Sequence, residues 1–386
     1  MKKLILSILA ILLCLSAFTL IACNGDDSTT TDYVTTTNGD NVTPLPPPSP
    51  DCDHVEEIIK GKEATTSNTG YTDGKKCALC GEILESQYAI PALKFVDGFE
   101  YRLNEGDDSY TVTGIGNVIN TKVIIPSTYN ELPVTAIGKH AFEECNFIVS
   151  VEIPDSVTNI GIGAFLKCEN LEIIKLPQNI TSISNNLFSN CNKLKEIEIP
   201  DSVTSIGAGA FVNCDGLTKL PMGDGVIIIG AGAYYDCDGI TEAVIPNTVT
   251  KIGRDGFGLC SNLKSVTIGN GLKEISNAMF LKCESLERVI ISDELITIGD
   301  SAFRGCKSLY AINIPKSVTN INDQAFSGCS SLERLIIPKS VTELDRSAFW
   351  SCPQLTVYCE AEKMPAGWQD SMEKNVKEIV WGYKEG

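Results

Sequence analysis

The chain has 386 residues, 43% of them hydrophobic, which is enough apolar material for one large solenoid or two ordinary domains. Acids outnumber bases 49 to 31, and the net charge of -18 repels nucleic acid and anionic surfaces, so a nucleic-acid partner is excluded. Only two histidines, His54 and His140, occur, which restricts the acid–base and nucleophile pairs available to a hydrolase.

The chain opens on Lys2 and Lys3, followed by an apolar run from Leu4 to Ala22 that ends at Cys23. The basic start and terminal position predict a signal peptide over residues 1–22. The quartet Leu20-Ile21-Ala22-Cys23 resembles a bacterial lipobox. That resemblance implies cleavage before Cys23, lipidation of its sulfur and export to the outer face of the cell membrane. An uncleaved signal anchor is the competing reading. Without Lys2 and Lys3 the formal charge moves from -18 to -20.

Residues 23–51 are rich in Thr, Ser, Asp and Pro and hold little apolar mass. Such a segment cannot offset the entropy of folding, and it is expected to be a disordered tether reaching roughly 30 Å. A small Cys/His module is expected over residues 52–93. Cys77-x-x-Cys80-Gly81 has the form of a zinc knuckle, and Cys52-x-His54 lies upstream. Three thiols and one imidazole suit a tetrahedral structural zinc. A Cys77–Cys80 disulfide with His54 exposed is the alternative.

Residues 94–125 alternate around Asn104-Glu105-Gly106-Asp107-Asp108, which predicts a β-hairpin cap. Beyond it one cysteine returns every 23 residues: Cys145, Cys168, Cys191, Cys214, Cys237, Cys260, Cys283, Cys306, Cys329 and Cys352. An aromatic residue precedes each by three positions, as in Phe142, Phe188, Tyr234 and Phe349. A fixed period of this length is the signature of stacked rungs. Leu194, Ile197 and Ile199 end in alternation and predict a short strand, which Pro200 closes. Gly223, Gly269 and Ser292 replace that proline in their rungs, and Tyr234 replaces the phenylalanine. The reading is an α/β-type leucine-rich-repeat solenoid over residues 126–357, built of short parallel strands joined by turns or short helices. The aromatic-rich residues 358–386 are expected to cap it.

The repeat resembles those of BspA-like, or Treponema-type, leucine-rich-repeat bacterial surface proteins. The resemblance covers residues from about 120 to 360 and implies a curved solenoid, a surface location and adhesin-like binding, with no ligand specified.

The spaced cysteines are expected to be buried thiols behaving as small hydrophobes. Disulfides between rungs would need side chains that point at one another, whereas equivalent positions run parallel. Metal binding is a third reading, with His140 the only histidine beside the ladder. Ten thiols in an exported protein imply a reducing habitat.

Seven positions after each cysteine the side chain should face outward. That column reads Glu152, Lys175, Glu198, Pro221, Val244, Thr267, Ile290, Asn313, Ile336, so charge gives way to an uncharged strip about 25–30 Å long. Arg288 and Arg334 border it. The candidate partner-binding set is therefore Val244, Thr267, Ile290, Asn313, Ile336, Arg288 and Arg334. Ordinary strand propensity explains Val, Ile and Thr equally well. A cell-surface binding protein for an extracellular protein or glycan is the leading reading, a structural spacer is the alternative, and an enzyme comes third because no nucleophile and base cluster. No catalytic cofactor is expected, only the structural zinc.

Overall fold

The computed structural model describes residues 55–62, 70–79, 83–85, 87, 89–90, 98–106, 108–368 and 375–384. The chain divides into two compact units, Met1–Ala92 and Leu93–Gly386. The signal segment and tether, with Cys23, lie outside the described residues. In the first unit, Gly74–Cys77 pairs antiparallel with both Glu56–Ile59 and Ile83–Glu85, and Gly70–Tyr71 pairs with Ala89–Ile90.

The second unit begins with an antiparallel hairpin of Glu100–Leu103 and Tyr110–Gly114, in which Tyr101 faces Val112 and Leu103 faces Tyr110. Tyr110–Gly114 then pairs in parallel with Leu132–Ile137, so the hairpin lies on the edge of the first rung. Phe99 meets the edge of Phe142 at 6.0 Å, and Tyr101 stacks on Tyr129 at 3.8 Å.

Most rungs carry two strands, both parallel to their neighbours; residues 194–199 and 217–222 form no first strand. The first lies in the Leu-x-x-Ile-x-Ile stretch, as at Ser150–Glu152, Ser265–Ile268 and Arg334–Ile337. Its alternation buries Val266 and Ile268 and leaves Thr267 facing out, as the period-2 rule requires. The second strand is only two residues long, as at Ser205–Ile206, Ile228–Ile229 and Thr297–Ile298, and forms its own parallel ladder. The sequence reading anticipated one strand per rung and missed this one.

No helix occurs among the described residues, so of the expected turns or short helices it is turns that join the strands. The aromatic–cysteine segment runs instead as tight turns, for a reason visible in its hydrogen bonds. Alternate amides bond within the rung, three residues back, as Ala164 to the Gly161 carbonyl and Leu166 to Gly163. The intervening amides bond across rungs: Gly163 to Asn185, Phe165 to Leu187 and Lys167 to Ser189. A helix would need every amide for its own chain. Positive φ at the first and last of these turn residues, such as Gly163 and Lys167 or Gly209 and Asn213, bends the chain and breaks any helical run.

The core is a single column. The aromatic rings stack from Phe142 to Phe349 with centroids 5.1–5.9 Å apart and nearly parallel planes. Beside them the cysteines form a second column. Each thiol donates to the carbonyl of the aromatic residue in the preceding rung at 2.9–3.2 Å, from Cys168 to Phe142 through Cys352 to Phe326. Size alone does not account for cysteine here. The site needs a small side chain that can also donate a hydrogen bond.

At the far end the register changes. Arg334 pairs with Thr356 and Thr356 with Glu378, offsets of 22 residues, while Glu343 pairs with Gly367, an offset of 24. Trp368 lies over the end of the core and donates its indole N–H to the Val341 carbonyl at 3.1 Å.

Burial pushes the Cys191 and Cys260 thiols up to about 12, and those of Cys214, Cys237, Cys283, Cys306 and Cys329 well above the ordinary value. Unfolded thiols begin to lose protons near pH ~8.5, while the folded ones hold theirs. The unfolded state then binds fewer protons, so stability falls as pH rises from there toward 12, by up to about 1.4 kcal/mol per pH unit for each thiol. Chemical denaturation between pH 7 and 10 should show this steep alkaline loss. The triple variant Cys214→Ser, Cys237→Ser, Cys260→Ser keeps hydroxyl donors and should flatten the slope, by up to about 4 kcal/mol per pH unit at the alkaline end of that range; an unchanged slope refutes the coupling.

Candidate functional site

The first strand column presents the outward residues. At its start the face is charged and internally paired: Lys175 reaches Glu152 at 3.1 Å, and Lys195 reaches Glu172 at 2.7 Å. These exposed pairs link equivalent positions in successive rungs and contribute little stability each.

The uncharged strip follows. Val244, Thr267 and Ile290 occupy matched positions in adjacent parallel strands. Val244 is 67% exposed and Ile290 is 52% exposed, with no partner covering either. Arg288 lies beside them, exposed, in register between Ser265 and Ala311. Asn313 is exposed on the next rung. These five residues share one face.

Ile336 and Arg334 lie on the neighbouring strand and are engaged by the C-terminal cap. The strands Glu242–Ile245, Ser265–Ile268, Arg288–Ile290 and Ala311–Ile312 form one sheet, whereas Arg334–Ile337 heads a separate sheet with Thr356–Cys359 and Glu378–Trp381. Ile336 is half-buried beside Tyr358. The Arg334 guanidinium lies 5.0 Å from the Tyr358 ring and 5.5 Å from the Tyr383 ring, and donates to the Tyr383 hydroxyl at 2.6 Å. It therefore fastens the C-terminal aromatics by cation–π and hydrogen-bond contacts.

Pro221 also departs from the sequence expectation. Its position in the column predicts an outward side chain, yet it is buried, and its carbonyl accepts the Tyr234 hydroxyl at 2.7 Å. A buried phenol needs an acceptor. The two substitutions were legible separately in the sequence, but their contact joins positions 13 residues apart and required the structure.

Of the expected zinc ligands, Cys52, His54 and Cys80 lie outside the described residues. Cys77 ends the strand Gly74–Cys77, is buried, and its sulfur accepts the Leu79 amide at 3.4 Å. Among the described residues no group of three or more His, Cys, Asp or Glu side chains is placed to hold a metal. His140 sits at the surface with Nδ1 2.9 Å from the Glu143 carboxylate. Among the described residues, no helix is long and apolar enough to cross a membrane.

Parallel rungs of fixed length, a stacked aromatic core and an outward strand face define a leucine-rich-repeat solenoid. Residues 120–241 and 227–356 match the BspA type leucine-rich repeat region in six copies, and the chain belongs to that family. A leucine-rich repeat protein from Bacteroides ovatus is 28% identical over 74% of this chain and 78% of its own, with a TM-score of 0.59. The leucine-rich repeat protein of T. pallidum is 28% identical over 55% of this chain and 89% of its own, with a TM-score of 0.40. A leucine-rich cell surface protein from Faecalibacterium prausnitzii is 25% identical over 76% of this chain and 99% of its own, with a TM-score of 0.38. No curated protein matches the chain.

Proposed function

We propose that this protein is a lipid-anchored, adhesin-like binding protein of the bacterial cell surface, and that it engages an extracellular protein or glycan through the strand face around Val244, Thr267 and Ile290. The observation that carries the reading is the exposure of Val244 and Ile290 in register on one sheet. The core does not need these side chains, because the residues on either side already fill it. Their hydrocarbon is left in water, and a partner that covers it recovers that free energy. Arg288 supplies a planar donor at the border, where arginine is favoured in interfaces. Family membership agrees with binding over catalysis. A spacer carrying other surface components is the second reading, supported by the charged, self-paired start of the same face.

The test uses the double variant Val244→Glu, Ile290→Glu. Solvent-facing changes of this kind leave folding intact. Capture of extracellular-matrix proteins and glycans from an array should fall at least ten-fold, about 1.4 kcal/mol. Unchanged capture by a folded variant supports the spacer.

The anchor rests on Cys23 after the apolar run. Two acyl chains hold a protein at a membrane where one barely does. Cys23→Ser should abolish incorporation of labelled fatty acid and release the protein to the medium; retained label disproves lipidation at this residue.

The zinc proposal is separate. Cys77, already accepting a backbone amide, would share one structural zinc with Cys52, His54 and Cys80. The full chain should then carry one zinc per molecule by elemental analysis, lost in Cys77→Ser. A metal-free chain with a Cys77–Cys80 disulfide overturns it.

A further inference from the structure

In regular rungs the first strand bonds to both neighbours and its inward residues are covered. The rung at residues 217–223 does neither. None of residues 218–222 makes a backbone–backbone hydrogen bond, and no strand forms there. Its neighbours resume pairing only at Ile173–Lys175 on one side and Glu242–Ile245 on the other, apart from one bridge between Ile173 and Glu196. Leu220 and Met222, which hold the inward positions, are only half-buried, while Val266 and Ile268 at the same positions are fully buried.

Two sequence departures, Pro221 and Tyr234, coincide with this break. Pro221 has no amide to give to a neighbouring strand. Its carbonyl is turned to the Tyr234 hydroxyl. Gly223 replaces the usual proline, as Gly269 does in a rung whose strand stays paired, and a Cβ there would lie 2.8 Å from the Ile199 carbonyl oxygen, so the two rungs stay in contact at that point. Beside that contact lies a cleft of about 540 Å³ lined by residues of both rungs. Ile197, Leu220 and Met222 line it, and Glu198, Asp201 and Asp224 are among its charged residues. Lys195 is engaged by Glu172 and Lys219 lies 3.7 Å from Glu196, whereas these three acids have no ion-pair partner among the described residues.

We infer that this cleft receives an extended basic peptide segment of a partner protein, its backbone bonded to the free backbone groups of residues 218–222. Each requirement of that occupant answers one feature of the cleft. Unpaired amides and carbonyls at residues 218–222 call for another backbone to bond them. Half-exposed Leu220 and Met222 call for an apolar side chain. Glu198, Asp201 and Asp224 call for positive charge, and the net charge of -18 draws such a segment in. The inference deepens the binding reading but uses a different place from the Val244–Ile290 face, so the two stand or fall separately.

The test titrates the full chain with an acetylated, amidated hexapeptide of alternating lysine and valine. Its glutamate–valine counterpart and a version N-methylated at alternate amides are the comparison probes. Saturable binding is expected for the basic peptide, with at least ten-fold weaker binding for each of the other two. Hydrogen exchange should slow at the amides of residues 218–220. The surface variant Glu198→Lys, Asp224→Lys should weaken binding at least ten-fold with an unchanged circular dichroism spectrum. Val244→Glu, Ile290→Glu should leave peptide binding intact. No binding, equal binding of the acidic or N-methylated peptide, or protection at other rungs overturns the inference. Loss of peptide binding in the Val244→Glu, Ile290→Glu variant also overturns it, and places the peptide on the outer face instead.

Discussion

Everything in the solenoid depends on the hydrogen bonds that cross from one rung to the next at the aromatic–cysteine turn. There the backbone of one rung gives every second amide to its neighbour, and the neighbour returns a thiol to the aromatic carbonyl. A single rung cannot satisfy its own polar groups, nor can it cover Phe211 or Cys214, which are fully buried only because rungs lie on both sides. Stability is therefore shared between neighbours, and each end of the stack must be closed by something other than a rung. The hairpin with Phe99 and Tyr101 closes one end, and Trp368 closes the other.

The same constraint separates what the fold fixes from what it leaves free. Inward positions admit only side chains that fill a column of nearly constant width. Outward positions on the strands answer to no such requirement, and their chemistry changes along the stack from paired charges to exposed aliphatic groups. Two places break the pattern in opposite ways. On the Val244–Ile290 face the backbone is regular and the side chains are unusual. At residues 218–222 Leu220 and Met222 keep the inward pattern, Pro221 breaks it, and the backbone has lost its partners.

The repeat was legible in the sequence because it is carried by spacing. Ten cysteines at one interval and their preceding aromatics locate every rung. The second strand column was not, because two residues such as Ser205–Ile206 are too few to show an alternation. The turns in place of helices had a readable sign: Gly163, Asn186, Gly209, Gly232 and Asp255 share one repeat position, and Gly, Asn and Asp tolerate left-handed backbone. On the candidate face, Val244, Thr267 and Ile290 followed directly from strand alternation. Arg334 did not, since its partners Tyr358 and Tyr383 come from the cap, where the period has ended. Pro221 is buried, and its carbonyl accepts the Tyr234 hydroxyl, a contact that no periodicity encodes.

The cross-rung bonds join residues at a constant offset, and this bears on how such a chain changes in length over generations. Duplicating one 23-residue unit inside the stack inserts a rung whose donors and acceptors already match both neighbours. An insertion of 22 or 24 residues would misalign the turn columns at one junction. Recombination between repeats can thus lengthen or shorten the interior without designing a new interface. The C-terminal rungs, paired at offsets of 22 and 24, lie outside that freedom and would be inherited as a block.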